Sequence, residues 1–256
     1  MLKFFRRIRQ QLIHQGNIRK YALYAIGEIA LVMIGILLAL QVNNWNEKRL
    51  EKIEEQAALL NLQKDFDLNR KNLLNSINQI KNNIQGSATI LNHTGQKYQP
   101  PIQLDIDSLL LFATSTPRYF PQNGFLNELI NSGKLSLIQN DSLKNLLSSW
   151  QSSIEYIKDR TAVNHSESLK ITDFINKNGN WLRIDSRAQL NHTYKLAYVK
   201  LPPSGFKNNN LSLLRSMEFE NLVDVQIAYK DGLLGAYYQT LAVCEDIQDK
   251  IKMELK

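Results

Sequence analysis

The sequence contains few residues that cross-link or interrupt a chain. Cys244 is the single cysteine among 256 residues, so an intramolecular disulfide is excluded and the fold must be stabilised by packing alone. About 210 residues follow position 42, which is enough chain to bury a hydrophobic core. Proline is absent before Pro100, so no proline forces a helix to end within the first 99 residues.

Acidic residues are absent before Glu28, and this imbalance predicts a membrane topology. Residues 43–256 hold 25 of the 31 cations and 23 of the 24 acids, a net charge of only +2. This near balance argues against a nucleic-acid partner, which would need a concentrated basic face. The other six cations precede the apolar segment, where they would attract anionic lipid and keep the N-terminus in the cytoplasm. They are Lys3, Arg6, Arg7, Arg9, Arg19 and Lys20.

Charge is almost absent from residues 21–42, whose only ionisable acid or base is Glu28. As a helix these residues would cover about 33 Å, which matches a hydrocarbon core of about 30 Å. A buried core helix rarely needs so long a stretch without charge, and no cleavage site of a signal peptide follows it. We therefore predict an uncleaved transmembrane helix, with the lipid bilayer as its first partner.

The segments on either side of this helix complete the predicted domain organisation. Residues 1–20 form a basic cytoplasmic segment in which apolar residues recur at helical spacing, typical of an interfacial amphipathic helix. A disordered basic tail is the alternative. Residues 43–256 form a helical domain on the opposite side of the membrane.

Glu28 shares one face of the predicted span with three other residues. Tyr24 lies one turn before it, and Gly35 and Ala39 follow seven and eleven positions later on the same face. Gly35 and Ala39 form a small-xxx-small step, which permits close helix approach. This pattern predicts a helix–helix interface with another copy or another membrane protein. Two alternatives remain: Glu28 reaches toward the headgroups, or it belongs to a proton or ion pathway.

The region after the span continues with helical periodicity to about residue 92. A helical hairpin is then predicted in "NGFLNELINSGKLSLIQNDSLKNLLSSW". Asn123 is the predicted N-cap of its first helix, Gly133 the left-handed residue that closes that helix, and Asn140 or Asp141 the cap of the second. A DNA-reading helix-turn-helix is disfavoured, because the second helix is not basic and the segment lies outside the cytoplasm.

Two long helices are predicted in the remainder, from residue 142 to about 177 and from Leu211 onward. Residues 181–206 show no clear helical stripe and are predicted to be a small irregular or β-like insert. The predicted fold class is therefore all-α: a transmembrane helix that continues into a long helical stalk and an antiparallel helical bundle, interrupted by that insert.

No chemical motif accompanies this architecture. The four histidines are scattered, and the nearest pair of metal donors, His165 and Glu167, would face apart on a helix. Neither a Gly-rich phosphate loop nor a Gly-x-Ser-x-Gly elbow occurs. The sequence therefore predicts no catalytic residue, no cofactor and no metal, and hence a protein that is not an enzyme.

Two segments resemble an uncharacterised family of single-pass membrane proteins common in Bacteroidetes. They are "YAIGEIALVMIGILLALQVNNWNE" and "FLNELINSGKLSLIQNDSLKNLLSSW". The resemblance implies a Gram-negative inner membrane and places the helical domain in the periplasm. It implies no activity and no catalytic or ligand residue.

Three functions are compatible with these expectations. The first is a membrane-anchored periplasmic interaction or scaffold protein that oligomerises, or binds a membrane partner, through its span. The second is a periplasmic ligand-sensing module that signals through a partner protein, because a cytoplasmic part of about 20 residues has no room for an output domain. The third, supported by location alone, is an envelope enzyme.

Overall fold

A computed structural model of the protein describes residues 18–95, 104–190, 201–207 and 209–255, and these residues contain no β-strand. The predicted all-α fold, with an apolar N-terminal helix followed by a helical bundle, is confirmed. The amphipathic segment predicted near the N-terminus lies outside the described residues, apart from residues 18–20 at the start of the first helix. The helices are α1 (Ile18–Leu91), α2 (Ile106–Thr114), α3 (Gly124–Asn131), α4 (Asp141–Asn178), α5 (Trp181–Leu190) and α6 (Met217–Glu254), with 3₁₀ turns at Lys134–Leu137 and Asn210–Arg215.

The chain divides into two compact units, Met1–Ala57 and Ala58–Lys256. The described part of the first unit is helical, and its large apolar side chains from Leu23 to Val42 are between 53% and 65% exposed. The second unit contains the bundle.

The three long helices of the bundle are held together by buried faces with alternating three- and four-residue spacing. This spacing places one stripe of side chains against the neighbouring helices, as in coiled-coil packing. The buried positions that follow this spacing in α1 are Leu59, Leu62, Phe66, Asn69, Leu73, Ser76, Ile80, Asn83, Ser87 and Ile90, and those in α6 are Phe219, Val223, Gln226, Lys230, Leu233, Tyr237, Thr240, Cys244, Ile247 and Ile251. Neighbouring positions such as Ala58 and Ile77 in α1, and Ala236, Leu241 and Gln248 in α6, are also buried.

Side-chain contacts give the relative directions of these helices. Glu254, at the C-terminal end of α6, contacts the Asn140 cap at the start of α4, whereas Gln226, near the N-terminal end of α6, contacts Ser168 further along α4. α4 and α6 are therefore antiparallel. α1 is also antiparallel to α6, because Cys244 contacts the Phe66 carbonyl and Lys230 contacts Ser87 further along α1.

Within the predicted long helices, several apolar residues are exposed. They include Val163, Leu169, Met217, Val225, Ala228 and Tyr229. Their positions fall outside the three-and-four spacing, which is filled instead by polar residues such as Asn164 and Ser168. Position on the helix, and not apolar character, decides which side chains are buried here.

The predicted irregular or β-like insert is wrong for its first ten residues, which form helix α5. Ile184 and Ala188, one turn apart, are buried. Arg183 and Arg187 form ion pairs with Asp107 and Asp105 beside α2. An apolar face of only two buried residues gives no recognisable helical periodicity in the sequence. Residues 191–200 lie outside the described residues, and residues 201–207 have no regular structure.

Candidate functional site

The four residues predicted to form an intramembrane interface all belong to α1. Tyr24 and Glu28 are half-buried, whereas Gly35 and Ala39 are exposed. A side chain added at Gly35 would meet no atom within 4 Å, so this face is open along the small residues. The helix repeat places the four residues on one side, with the Glu28 carboxylate about two turns from Gly35 and about three turns from Ala39.

The apolar part of α1 has the properties of a single membrane crossing. It lies near the N-terminus, and none of its most apolar window is covered by the rest of the chain. Among the described residues it belongs to the one helix that is long and apolar enough to span a bilayer. Exposure of such a surface to water costs about 25 cal/mol of free energy for each Å² of apolar area. Lipid, or another apolar helix, is its compatible environment.

The predicted hairpin residues have distinct roles. Gly133 adopts φ 71°, the left-handed conformation, directly after the helix ends. The Asn140 side chain accepts a hydrogen bond from the Leu143 amide and so caps α4. Asn123 occupies the N-cap position of α3, as predicted, but its side chain makes no capping bond; its Oδ1 accepts from the indole Nε1 of Trp150 at 2.8 Å. The buried indole needs an acceptor more than a solvent-facing helix end does.

A layer of six buried polar residues, which the sequence analysis missed, separates the two apolar parts of the bundle core. Each long helix contributes two of them at the same level. In α1 they follow Ile80 and precede Ile90. The six are Asn83, Ser87, Asn164, Ser168, Gln226 and Lys230. We call them the polar layer.

The polar layer binds the chain that leaves α2. Asn83 Nδ2 donates to the Ser115 carbonyl at 3.2 Å, and Thr116 Oγ1 donates to Asn164 Oδ1 at 3.1 Å. Nearby, Tyr237 donates to the Pro117 carbonyl at 3.0 Å. A non-helical segment inside a bundle has backbone groups that no helix satisfies. The polar layer supplies several of these missing partners, and this part of its chemistry is structural. Asn164 Nδ2 and Gln226 Oε1 are buried in the layer without a hydrogen-bond partner among the described residues.

Lys230 is the charged member of this layer and is fully buried. Its Nζ donates to the Phe112 carbonyl at 2.5 Å, to the Ala113 carbonyl at 3.2 Å and to Ser87 Oγ at 3.3 Å. The two carbonyls lie in the last turn of α2, where the helix dipole is negative. Burial lowers the pKa of the Lys230 amine to about 7. Removal from water disfavours the charged ammonium, and its three acceptors are uncharged.

A second buried network joins α2, α5 and the turn before α6. Asp107 accepts from Arg183 Nε at 3.0 Å and from Asn210 Nδ2 at 2.6 Å. Asn210 Oδ1 also accepts from the Asn180 amide at 2.7 Å. These bonds fix the loop that reverses the chain after α4, because each partner is satisfied by another protein group.

A shallow groove of about 620 Å³ lies between α1 and α6 and is lined mainly by charged side chains. Arg70 Nε and Glu245 Oε1 form an ion pair across it at 2.9 Å, and Gln248 Nε2 donates to Asp67 Oδ1 at 2.5 Å. Its charges therefore neutralise one another within the groove. An ion pair as exposed as Arg70–Glu245 contributes about 0–1 kcal/mol to stability.

Several acidic side chains act as helix caps or hydrogen-bond acceptors. Asp65 accepts from the Phe125 amide, and Asp105 caps α2 by accepting from the Ser108 amide. Glu167 forms an ion pair with Lys170. Among the described residues, no group of three or more His, Cys, Asp or Glu side chains is placed to hold a metal ion.

Comparison with protein-family models, curated proteins and solved structures found no match to this chain. The polar groups of the bundle are largely used to hold the fold together. Between Ala22 and Ala57, α1 exposes a long apolar face, and this face is the candidate functional surface.

Proposed function

We propose that this protein is a membrane-anchored interaction or scaffold protein of the cell envelope. Its apolar helix crosses the inner membrane with the N-terminus in the cytoplasm, and the helical domain lies in the periplasm. The protein associates with another membrane helix, from a further copy or a different protein, through the face defined by Tyr24, Glu28, Gly35 and Ala39. Its similarity to the Bacteroidetes single-pass family is part of this proposal.

One observation carries the proposal: a carboxylate and two small residues share one face of an otherwise apolar, uncovered helix. An acidic side chain within the hydrocarbon is costly, and a neighbouring helix that donates a hydrogen bond to Glu28 would lower this cost. The open surface at Gly35 allows such a helix to approach closely. Lipid alone would require neither feature.

A pair of matched substitutions tests this association. Ala39 lies on the proposed face, and Ala30 lies nine positions earlier, about 180° around the helix. We expect Ala39→Leu to reduce co-purification of the partner from mild detergent by about tenfold, equivalent to about 1.4 kcal/mol. Ala30→Leu adds the same side chain toward lipid and should leave co-purification unchanged.

Glu28→Leu provides a second readout on the same face. It removes the carboxylate that the partner satisfies, and we expect it to change the oligomeric state or the set of co-purified proteins. Equal behaviour of wild type, Glu28→Leu and Ala39→Leu would contradict the proposal. Recovery of the native protein only as a monomer would contradict it as well.

A further inference from the structure

The helix face that contains Gly35 and Ala39 continues beyond the membrane-spanning segment as an exposed apolar ridge. Leu50 and Ile53 are 46% and 56% exposed, and Ala57 is also exposed. With Asn46 they are spaced four, three and four residues apart. We call Asn46, Leu50, Ile53 and Ala57 the outer ridge. It lies outside the apolar span, where lipid tails do not cover it.

The spacing of the outer ridge is that of a coiled-coil seam. In heptad terms Leu50 and Ala57 occupy a positions, and Asn46 and Ile53 occupy d positions, so that all four side chains would meet a neighbouring helix. A single exposed leucine is ordinary on a protein surface. Three apolar residues at seam spacing, continuing the face of Ala39, form a surface suited to another helix. Asn46 adds a polar seam position of the kind that fixes register.

Charged residues that flank the outer ridge identify the partner. Arg49 occupies the g position before Leu50, and Glu54 occupies the e position after Ile53. In a parallel pair of identical helices, the g residue of one chain faces the e residue of the next heptad in the other. Two Arg49–Glu54 pairs of opposite charge would therefore form, related by symmetry. Both residues are exposed and able to reach a second chain.

We propose that the outer ridge binds the outer ridge of a second copy of this chain in parallel orientation. This inference rests on the proposed function, because insertion of both copies in one membrane with the same topology is what makes them parallel. It goes further by naming the partner and extending the contact from the span to residues 46–57. The same seam accommodates a third or fourth copy by the same contacts.

Disulfide trapping in native membranes tests this contact in the full-length protein. Ile53→Cys and Leu50→Cys place thiols on the ridge, whereas Glu51→Cys lies about 160° from Ile53 around the helix. After mild oxidation we expect at least about fivefold more cross-linked dimer from the two ridge variants than from Glu51→Cys. The buried Cys244, whose thiol pKa is raised to about 12 by burial, should give no cross-link in the wild type.

A charge-reversal cycle tests the identity of the partner. Arg49→Glu and Glu54→Arg each place like charges opposite one another, and we expect either to weaken self-association about five- to tenfold at low salt. The double variant restores opposite charges and should recover wild-type association. Recovery would be specific to two copies of this chain.

The outcomes separate this inference from the proposed function. If the ridge variants cross-link no more than Glu51→Cys, or the double reversal fails to restore association, the second-copy contact is wrong. If Ala39→Leu nevertheless releases a different membrane protein, the proposed function stands without it. If neither set of variants changes any association, both are wrong.

Discussion

At the scale of single residues, Lys230 shows how a charge is retained inside a helical core. In place of water, its ammonium group donates hydrogen bonds to two carbonyls at the negative end of α2 and to one hydroxyl. None of these three acceptors is a carboxylate. The arrangement joins α6 to α2 across 118 positions of sequence. Burial is tolerated because the amine can lose its proton near neutral pH, which lowers the desolvation cost.

This chemistry predicts a pH dependence of stability. Between the folded pKa of about 7 and the unfolded value of about 10.4, the unfolded state binds one more proton than the folded state. The free energy of unfolding should therefore rise with pH, by about 1–2 kcal/mol between pH 7 and 8.5. Urea unfolding of the full chain in detergent micelles, followed by circular dichroism, measures this change.

Lys230→Met is the matched variant, because it keeps a long unbranched side chain and removes the titrating group. We expect its stability to be nearly flat over the same pH interval. The thiol of Cys244 begins to titrate in the unfolded chain near the upper end of this interval; because its pKa is raised in the fold, it lowers stability slightly and equally in wild type and variant. Tyr237, whose pKa is also raised in the fold, titrates in the unfolded chain above the interval. Equal slopes in wild type and variant would assign the pH dependence to other groups.

At the scale of elements, the contact between α1 and α2 depends on Gly86. A Cβ atom at this position would lie 2.4 Å from Phe112 Cδ2 and 2.7 Å from Phe112 Cβ. In sequence this glycine reads only as a weak point of a long helix, costing about 1 kcal/mol relative to alanine. In the fold it permits the close approach that brings the end of α2 to Lys230.

Gly86→Ala is therefore expected to destabilise the bundle by about 1–3 kcal/mol, because Phe112 and α2 must shift. Gly235→Ala is the matched control: it lies in an exposed part of α6, and its new Cβ would meet nothing within 4 Å. The control should leave stability unchanged or raise it by up to about 1 kcal/mol. Thermal unfolding compares the two. A Gly86→Ala protein at least as stable as the control would contradict the packing argument.

Elements also differ in how well sequence predicts them. Both ends of α4 and the C-terminal end of α1 were predicted within one residue, because caps and local periodicity act over a few positions. The predicted start of the last long helix at Leu211 was wrong: Asn210–Arg215 form a 3₁₀ turn, and α6 begins at Met217. Helix α5 was missed because its buried face consists of few residues. Sequence does not reveal the polar layer when buried positions are assigned by apolar residue type alone, because the layer is defined by its spacing along the helices. Gln226 and Lys230 continue the three-and-four pattern of α6 through two polar positions.

At the scale of the whole molecule, the proposed topology predicts where a thiol becomes accessible. Ser152 is exposed on α4 and lies on the periplasmic side in this topology. In intact spheroplasts, a Ser152→Cys variant should react with a membrane-impermeant maleimide to the same extent as after lysis. The wild type should remain unlabelled, because its thiol is buried. If labelling required lysis, the proposed orientation would be wrong. If carbonate extracted the protein from the membrane, α1 would not be a transmembrane anchor.

The sequence alone determined the apolar helix, the all-α class and the approximate ends of the long helices. These depend on solvation of a continuous run of side chains and on hydrogen bonds between residues a few positions apart, both of which are local. Tertiary structure decided which polar side chains are buried, why Gly86 has no side chain and why Asn123 binds Trp150 instead of capping its helix. Each depends on a partner from a different element, because backbone groups of the segment after α2 and the indole of Trp150 have to be satisfied inside the core.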